Sequence, residues 1–235
     1  MRRSLQVTLW TSAGHAGHDE LPLLVVHDGP EYAVHASLLA YLDRRVHDGA
    51  IPPLHAALIG PGRRDEEYAA NPAYARALAE EILPAVSARL RVFDDSRARV
   101  GVGASLGGLA LLHAQLQYPS LFGGLFLQSS SFLRGGVDGH ERWLSRYDHV
   151  VRFVDALVSQ RTATLQGVAV TLTCGLAEEN LQSNRDVHRA LLESGHDATL
   201  VEVRDAHNWT AWRDSLDPHL GDLLRGLWGS RRAQG

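Results

Sequence analysis

The chain has 235 residues, of which 45% are hydrophobic and 21% are charged, and its formal net charge at pH 7 is -4. This is the composition of a globular protein with enough apolar material for a buried core, so we expect one domain over residues 1–235. The acidic balance excludes a broad basic surface and therefore argues against nucleic acid as a partner.

The sequence also argues against membranes and metals. No run reaches the ~18 apolar residues of a membrane helix, and no long apolar run follows Arg2 and Arg3, as a secretory signal would require. The single cysteine, Cys174, excludes an intrachain disulfide and any metal motif built from several cysteines. The histidines form no HExxH pattern, and we interpret His15 and His18 as surface residues. We expect a cytoplasmic protein with no membrane contact, no metal and no cofactor.

Apolar runs rich in β-branched or aliphatic residues alternate with segments of helical periodicity along the chain. The runs predict strands at 5–10, 21–27, 54–60, 98–104, 124–128, 168–174 and 199–204. The segments between them predict helices at 72–90, 106–118, 180–194 and 209–228. This alternation predicts an α/β fold, a mostly parallel central sheet with helices on both faces.

One segment, 131–147, interrupts this alternation. It lies between a predicted strand and a predicted helix, and combines glycines with the aromatic residues Phe132, Trp143 and Tyr147. It is either a lid or insertion that covers a site, or an irregular surface loop.

A candidate nucleophile follows the fourth predicted strand. Residues 103–107 read Gly-Ala-Ser-Leu-Gly, a G-x-S-x-G pattern centred on Ser105. A strand runs into this pattern and a helix leaves it, as in a nucleophile elbow, where glycines two residues away avoid collision with the serine. The helix start would also direct the Leu106 N–H toward a developing oxyanion. The alternative is a glycine-rich turn in which Ser105 caps the helix.

A base and an acid are expected after the serine, because the usual chain order in such folds is serine, acid, histidine. His207 lies between the last predicted strand and the last predicted helix, and is the candidate base. Glu178 follows the strand before it and is the candidate acid, which would orient the imidazole. Glu179 is the near rival, and both carboxylates could instead simply favour the start of a helix.

The chain resembles the enterochelin esterase-like branch of the putative esterase family, which also includes esterase D relatives and mycolyltransferases. The resemblance covers most of the length and is carried by residues 27–29, 64–71, 80–84, 103–108, 118–123, 128–131 and 207–216. It implies an α/β-hydrolase fold and ester hydrolysis, in the best-known branch of siderophore lactones. It also supports Glu178 over Glu179, because residues 175–178 take the place of the acid-bearing turn.

Three departures from the family pattern are visible. Asp205 and Ala206 precede His207 where the family usually has two glycines. We also expect the hydrolase part to begin almost at Met1, without the N-terminal domain common in siderophore esterases. Relatives use a backbone N–H just after the Asp-Gly pair in the oxyanion hole, but Pro30 has none. We therefore expect Gly29 to be the second donor; the alternatives are Glu31 or the lack of a second donor.

Three residues are candidates for substrate binding. The planar guanidinium of Arg64 suits a carboxylate, and the alternative is an ion pair with Glu67 or Asp65. Trp209 could line an apolar pocket, with core packing as the alternative. Asp28, in the segment that resembles the family, is the third candidate.

These residues together predict a serine carboxylic-ester hydrolase that acts on a small-molecule ester through an acyl-enzyme. Two alternatives stay open from the sequence alone. An acyltransferase would use the same acyl-enzyme, and a non-catalytic binding protein could keep the fold. The sequence identifies neither the ester nor the oligomeric state.

Overall fold

A computed structural model describes residues 5–160, 165 and 167–229. Its seven strands form one sheet in the order β1-β3-β2-β4-β5-β6-β7. They are β1 (Val7–Thr11), β2 (Leu23–His27), β3 (His55–Ile59), β4 (Arg99–Ala104), β5 (Gly124–Gln128), β6 (Ala169–Gly175) and β7 (Asp197–Val203). Strand β1 pairs antiparallel with β3, whereas every other pairing is parallel.

Helices fill the connections between the strands. They are α1 (Gly29–His35), α2 (Leu38–His47), α3 (Arg64–Glu67), α4 (Pro72–Ala77), α5 (Leu83–Ser87), α6 (Leu106–Gln117), α7 (Tyr147–Gln160), α8 (Leu181–Glu193), α9 (Trp209–Asp214) and α10 (Gly221–Trp228). Turns of π-helix, Leu78–Ile82 and Leu216–Leu220, join α4 to α5 and α9 to α10. Short 3-10 helices lie at Ser96–Ala98 and Gly139–Trp143.

The sheet separates two apolar cores. Along β2, Leu23 and Val25 belong to the core under α4 to α8, while Leu24 and Val26 belong to the core under α1, α2, α9 and α10. Successive side chains of a strand point to opposite faces, so a strand that is apolar throughout is buried on both sides. The predicted α/β fold with a mostly parallel sheet and helices on both faces is confirmed.

All seven predicted strands are present, but the predicted helix 209–228 is interrupted. Asp217 has φ -106° and ψ 123°, an extended conformation, because a residue followed by a proline is disfavoured in the helical region. A second difference is that the helix predictions did not include α1, α2, α3 and α7. Pro30 lies in the first turn of α1, where a missing N–H costs no helical hydrogen bond.

The parallel strands end at one edge of the sheet, and the candidate site lies there. Strands β2, β4, β5 and β6 run directly into residues 28–29, 105, 129–131 and 176–178, and β7 leads into the loop that carries residue 207. Open α/β sheets bind ligands at this edge.

Candidate active site

Ser105 lies in the turn between β4 and α6, with φ 55° and ψ -125°. A positive φ is unfavourable for a residue with a side chain, and such a conformation costs on the order of 1–3 kcal/mol. Nearby glycines make the turn possible, since a Cβ on Gly103 would lie 2.7 Å from the carbonyl carbon of Gly107. The G-x-S-x-G spacing is therefore explained by close backbone approach.

Hydrogen bonds from the neighbouring strand hold this turn. The Ser105 N–H donates to the Gln128 carbonyl at 2.9 Å, and the Ser131 N–H donates to the Ser105 carbonyl at 3.1 Å. From the other side, His27 Nδ1 donates to the Gly107 carbonyl at 3.0 Å. The turn that carries Ser105 is thus fixed between the ends of β2 and β5.

His27 is a buried neutral base beneath the turn. Its Nδ1 must carry a proton because a carbonyl only accepts, so Nε2 accepts from the Tyr74 hydroxyl at 2.9 Å. Burial lowers the pKa of His27 to about 4, although the Gly107 carbonyl and Asp28 act in the opposite direction. The ring also stacks on Tyr68, with centroids 4.6 Å apart.

His207 and Glu178 form a hydrogen-bonded pair. His207 Nδ1 lies 2.8 Å from Glu178 Oε2, and the imidazole is 42% exposed while the carboxylate side chain is 1% exposed. The other oxygen, Glu178 Oε1, accepts from the Ser129 hydroxyl at 2.7 Å and from the Gly175 N–H at 2.6 Å. Trp212 Nε1 donates to Ser129 Oγ at 3.0 Å, which completes the chain of hydrogen bonds behind the carboxylate.

These contacts keep Glu178 ionised. Burial raises the pKa of the carboxyl, but the hydrogen bonds from His207, Ser129 and Gly175 outweigh that effect and lower the pKa below its usual value. The rival Glu179 is exposed and makes no hydrogen bond to His207. Of the two carboxylates, the structure brings Glu178 to the imidazole.

Hydrogen bonds within the loop stabilise it at the position where the family usually has two glycines before the histidine. Asp205 Oδ1 accepts from the Ala206 N–H at 2.7 Å and from Asn208 Nδ2 at 3.0 Å. Asn208 then caps α9, accepting from the Ala211 N–H at 2.9 Å. The departure from the family pattern is therefore compatible with a histidine that reaches the acid.

Ser105 and the pair line one cavity of about 540 Å³, whose walls include Leu106, Ser131 and Trp143. Ser105 Oγ lies 3.0 Å from Ser131 Oγ. Within the described residues no hydrogen bond joins Ser105 Oγ to His207. Catalytic hydrogen bonds are often long before substrate binds, so this geometry is compatible with a base that engages during the reaction.

The two candidate oxyanion donors have different surroundings. Leu106 lines the cavity at the start of α6. Gly29 is buried at the start of α1 and is not among the residues that line the cavity, and a Cβ there would lie 2.4 Å from the Leu58 Cα. Close packing against Leu58 is thus sufficient to explain the glycine at position 29, without a role for its N–H as an oxyanion donor.

Arg64 pairs with Asp28 rather than with Glu67 or Asp65. Its Nε donates to both oxygens of Asp28, at 3.1 and 3.0 Å, and its Nη2 donates to Oδ2 at 2.9 Å. Burial lowers the pKa of Arg64, but the bonds to Asp28 outweigh that effect and raise it. Arg64 lines the cavity, whereas Asp28 is buried behind it and holds the guanidinium in place.

Trp209 lies outside the cavity lining. It packs edge-on against Tyr32 and Trp212, with ring centroids 5.2 and 4.8 Å apart, as the core-packing alternative expects. The aromatic residue at the cavity is Trp143, which is 73% exposed and belongs to the 131–147 segment.

The sequence reasoning missed Ser129 and Ser131, whose hydroxyls contact the acid and the candidate nucleophile. The signal available was the segment 128–131 at the end of β5, which resembles the family but suggested no role for its serines. The direction of each serine side chain depends on the local backbone conformation, and Ser129 has a positive φ of 46°. The sequence does not predict this conformation.

The described part of the chain has neither a group of metal ligands nor a helix that could span a membrane. It contains no cluster of three or more histidine, cysteine or carboxylate side chains that could hold a metal ion. Over the same residues, no helix is long and apolar enough to cross a membrane.

The fold and this site define a class of protein, the α/β-hydrolase type. The family model described as "Putative esterase" matches residues 1–223, and the chain belongs to that family.

Particular relatives are enterobactin esterases. The iron(III) enterobactin esterase of Dickeya dadantii is 29% identical over 226 residues, which cover 94% of this chain and 52% of that protein. The enterobactin esterase of Shigella flexneri, crystallised in the presence of enterobactin, has a TM-score of 0.81 and 26% identity, over 96% of this chain and 56% of that one. A ferulic acid esterase matches with a TM-score of 0.78 at 18% identity, which supports the fold alone. The chain spans about half the length of the curated relatives it matches.

Proposed function

We propose that this protein is a serine carboxylic-ester hydrolase. Ser105 attacks the ester carbonyl, His207 takes the serine proton and returns it to the leaving alcohol, and Glu178 orients the imidazole and stabilises its charged form. The Leu106 N–H is one donor to the oxyanion. Water, activated by His207, then releases the acid from the acyl-enzyme.

One observation carries the proposal: a serine in a positive-φ turn shares a cavity with a histidine that is paired with a buried carboxylate. Each part has an ordinary structural explanation when taken alone. Together they supply a nucleophile, a base and an orienting acid at the edge of a parallel sheet, where such groups act.

The lining of the cavity favours a small ester with an aromatic part. Trp143 offers an exposed ring, whereas the guanidinium of Arg64 is paired with Asp28 and shares the wall with carboxylates such as Glu141. Trp143 also borders a second cleft, whose lining includes Arg142, Arg146 and Arg152. Because the relatives are named for enterobactin, a cyclic siderophore ester is the first natural substrate to try.

The 131–147 segment contributes Ser131, Leu133, Glu141, Trp143 and Leu144 to the cavity wall. We propose that this segment acts as a partial lid. Its base is held by Arg134, which pairs with Asp155 of α7 at 3.2 Å and also with Asp186 of α8.

The test is the hydrolysis of p-nitrophenyl esters of short acids by the wild type and by Ser105→Ala. We expect kcat to fall by about 10⁴-fold or more, because removal of a nucleophile leaves only binding and oxyanion stabilisation. Ser130→Ala is the matched control, since the Ser130 hydroxyl is buried without a hydrogen-bond partner. Full activity in Ser105→Ala would exclude the proposed mechanism.

A further inference from the structure

A second hydroxyl lies against the candidate nucleophile. The Oγ atoms of Ser105 and Ser131 are 3.0 Å apart, and both residues line the cavity. The Ser131 backbone is fixed relative to the turn, because its N–H donates to the Ser105 carbonyl at 3.1 Å. Ser131 therefore touches the atom that is expected to attack the substrate.

The three consecutive serines after β5 have three different surroundings. Ser129 donates its hydroxyl hydrogen to Glu178, behind the site. Ser130 is fully buried, and its hydroxyl has no partner. Ser131 alone of the three lines the cavity. Substitution of each serine in turn therefore tests a different contact, because the three hydroxyls have different neighbours.

Enzymes of acyl transfer stabilise the oxyanion with preorganised hydrogen-bond donors, and removal of one donor costs about 10²–10³-fold in rate in a well-studied hydrolase. The Leu106 N–H is one candidate donor. Two other polar side chains of the wall already have partners: Asn180 Nδ2 bonds to the carbonyls of Ser129 and Ser130 at 3.2 and 3.1 Å, and Arg64 bonds to Asp28. The Ser131 hydroxyl is the donor next to the reacting atom.

We propose that Ser131 is a catalytic residue whose hydroxyl donates a hydrogen bond to the oxyanion, alongside the Leu106 N–H; this rests on the proposed function of Ser105. In the resting protein the Ser131 hydroxyl pairs with Ser105 Oγ. As Oγ bonds to the carbonyl carbon, the Ser105 proton moves to His207 and the carbonyl oxygen becomes anionic. Oγ and the oxyanion are then bonded to the same carbon, so rotation about the Cα–Cβ bond of Ser131 redirects its O–H to the oxyanion.

The proton balance closes without any further reactant. When the tetrahedral intermediate collapses, the carbonyl reforms, the bond to the leaving oxygen breaks, and that oxygen takes the proton from His207. The second half of the reaction repeats these steps with water as the nucleophile. Ser131 keeps its own proton throughout and acts twice, once in acylation and once in deacylation.

The experiment compares Ser131→Ala, Ser131→Thr and Ser130→Ala with the wild type, measuring kcat and KM for a p-nitrophenyl ester between pH 5 and 9. For Ser131→Ala we expect kcat to fall by about 10²–10³-fold. KM should change little, because the hydrogen bond forms in the transition state. The pH dependence should keep its shape, because His207 and Glu178 are untouched.

The other two variants separate chemistry from packing. Ser131→Thr keeps a hydroxyl and should recover most of the lost kcat, while Ser130→Ala, which loses a hydroxyl that bonds to nothing, should match the wild type. Thermal unfolding of each variant shows whether the fold is kept. A Ser131→Ala protein that loses activity only in proportion to lost folded protein would overturn the inference.

Two further outcomes also contradict the role of Ser131. Wild-type kcat in Ser131→Ala would show that its hydroxyl is dispensable, and a higher kcat would show that it merely holds Ser105 away from His207. Either result, with Ser105→Ala inactive, leaves the proposed function standing. Activity in Ser105→Ala would instead remove the proposed function itself.

Discussion

The floor and the rim of the cavity are built differently. We use floor for the buried groups behind the reacting atoms, His27, Ser129 and Glu178, and rim for the 131–147 segment. Each side-chain nitrogen and oxygen of these three floor residues has a hydrogen-bond partner. The rim instead presents an exposed indole, Trp143, to solvent. The buried groups are therefore held in one hydrogen-bonded arrangement, whereas the Trp143 indole is accessible at the cavity.

The largest effect should come from the floor carboxylate. In Glu178→Gln, the amide NH₂ can face His207 Nδ1 and favour the wrong tautomer, so we expect kcat to fall by about 10³–10⁴-fold. Glu179→Gln is the matched control, because its carboxylate is exposed and makes no hydrogen bond to the imidazole. Steady-state kinetics of both variants tests the assignment, and a larger loss in Glu179→Gln would reverse it.

A second prediction concerns the floor beneath the nucleophile turn. The folded protein holds His27 neutral down to a pKa of about 4, whereas an unfolded histidine binds its proton below about 6.5. The unfolded state therefore binds more protons between these values. Stability should fall as the pH drops through this window, by about 3 kcal/mol for this residue.

His27→Asn isolates that contribution, because its amide can still donate to the Gly107 carbonyl but cannot titrate. The pKa of His113 is also lowered by burial to about 4, and its contribution is common to both proteins. Urea unfolding at pH 7 and at pH 4 should show a steeper loss for the wild type. Parallel losses in the two proteins would mean that His27 is not held neutral.

The smallest effect should come from the rim. Because Trp143 is 73% exposed, Trp143→Ala should leave the unfolding temperature nearly unchanged. It should raise KM for aromatic esters by about threefold to tenfold, the range expected for one aromatic contact, and leave acetyl esters unaffected. Val137→Ala is the control, since Val137 is 48% exposed on the same segment and does not line the cavity. Equal effects on aromatic and acetyl esters would remove the proposed role of the indole.

The sequence predicted the strands, the turn at Ser105 and the candidate pair of Glu178 and His207 better than the contacts of Ser129 and Ser131, for a physical reason. Buried strands, the glycines around Ser105 and the order of serine, acid and histidine are constrained by close packing, and such constraints leave a pattern along the chain. The break at Asp217 had a local signal in Pro218, and the start of α1 had one in Pro30. In both cases a single proline decides the local backbone conformation, although the hydrophobic periodicity of the longer segment predicts otherwise.

The contacts that the sequence did not predict join residues far apart in the chain. The pairing of Arg64 with Asp28 spans 36 positions, and the contact between Ser105 and Ser131 spans 26. Neither has a fixed spacing, because both depend on which strand ends become neighbours in the sheet. The packing of Trp209 was likewise not predictable from the sequence, because periodicity places the residue on a helix but does not identify the side chains that pack against it.

The most direct test of the account is covalent labelling with a fluorophosphonate, followed by mass spectrometry of the peptides. We expect one adduct, on Ser105, with a labelling rate that falls by about 10³-fold or more in His207→Ala because the serine loses its base. An adduct on another residue in place of Ser105, or ester hydrolysis that persists after complete labelling of Ser105, would contradict the assignment of Ser105 as the nucleophile.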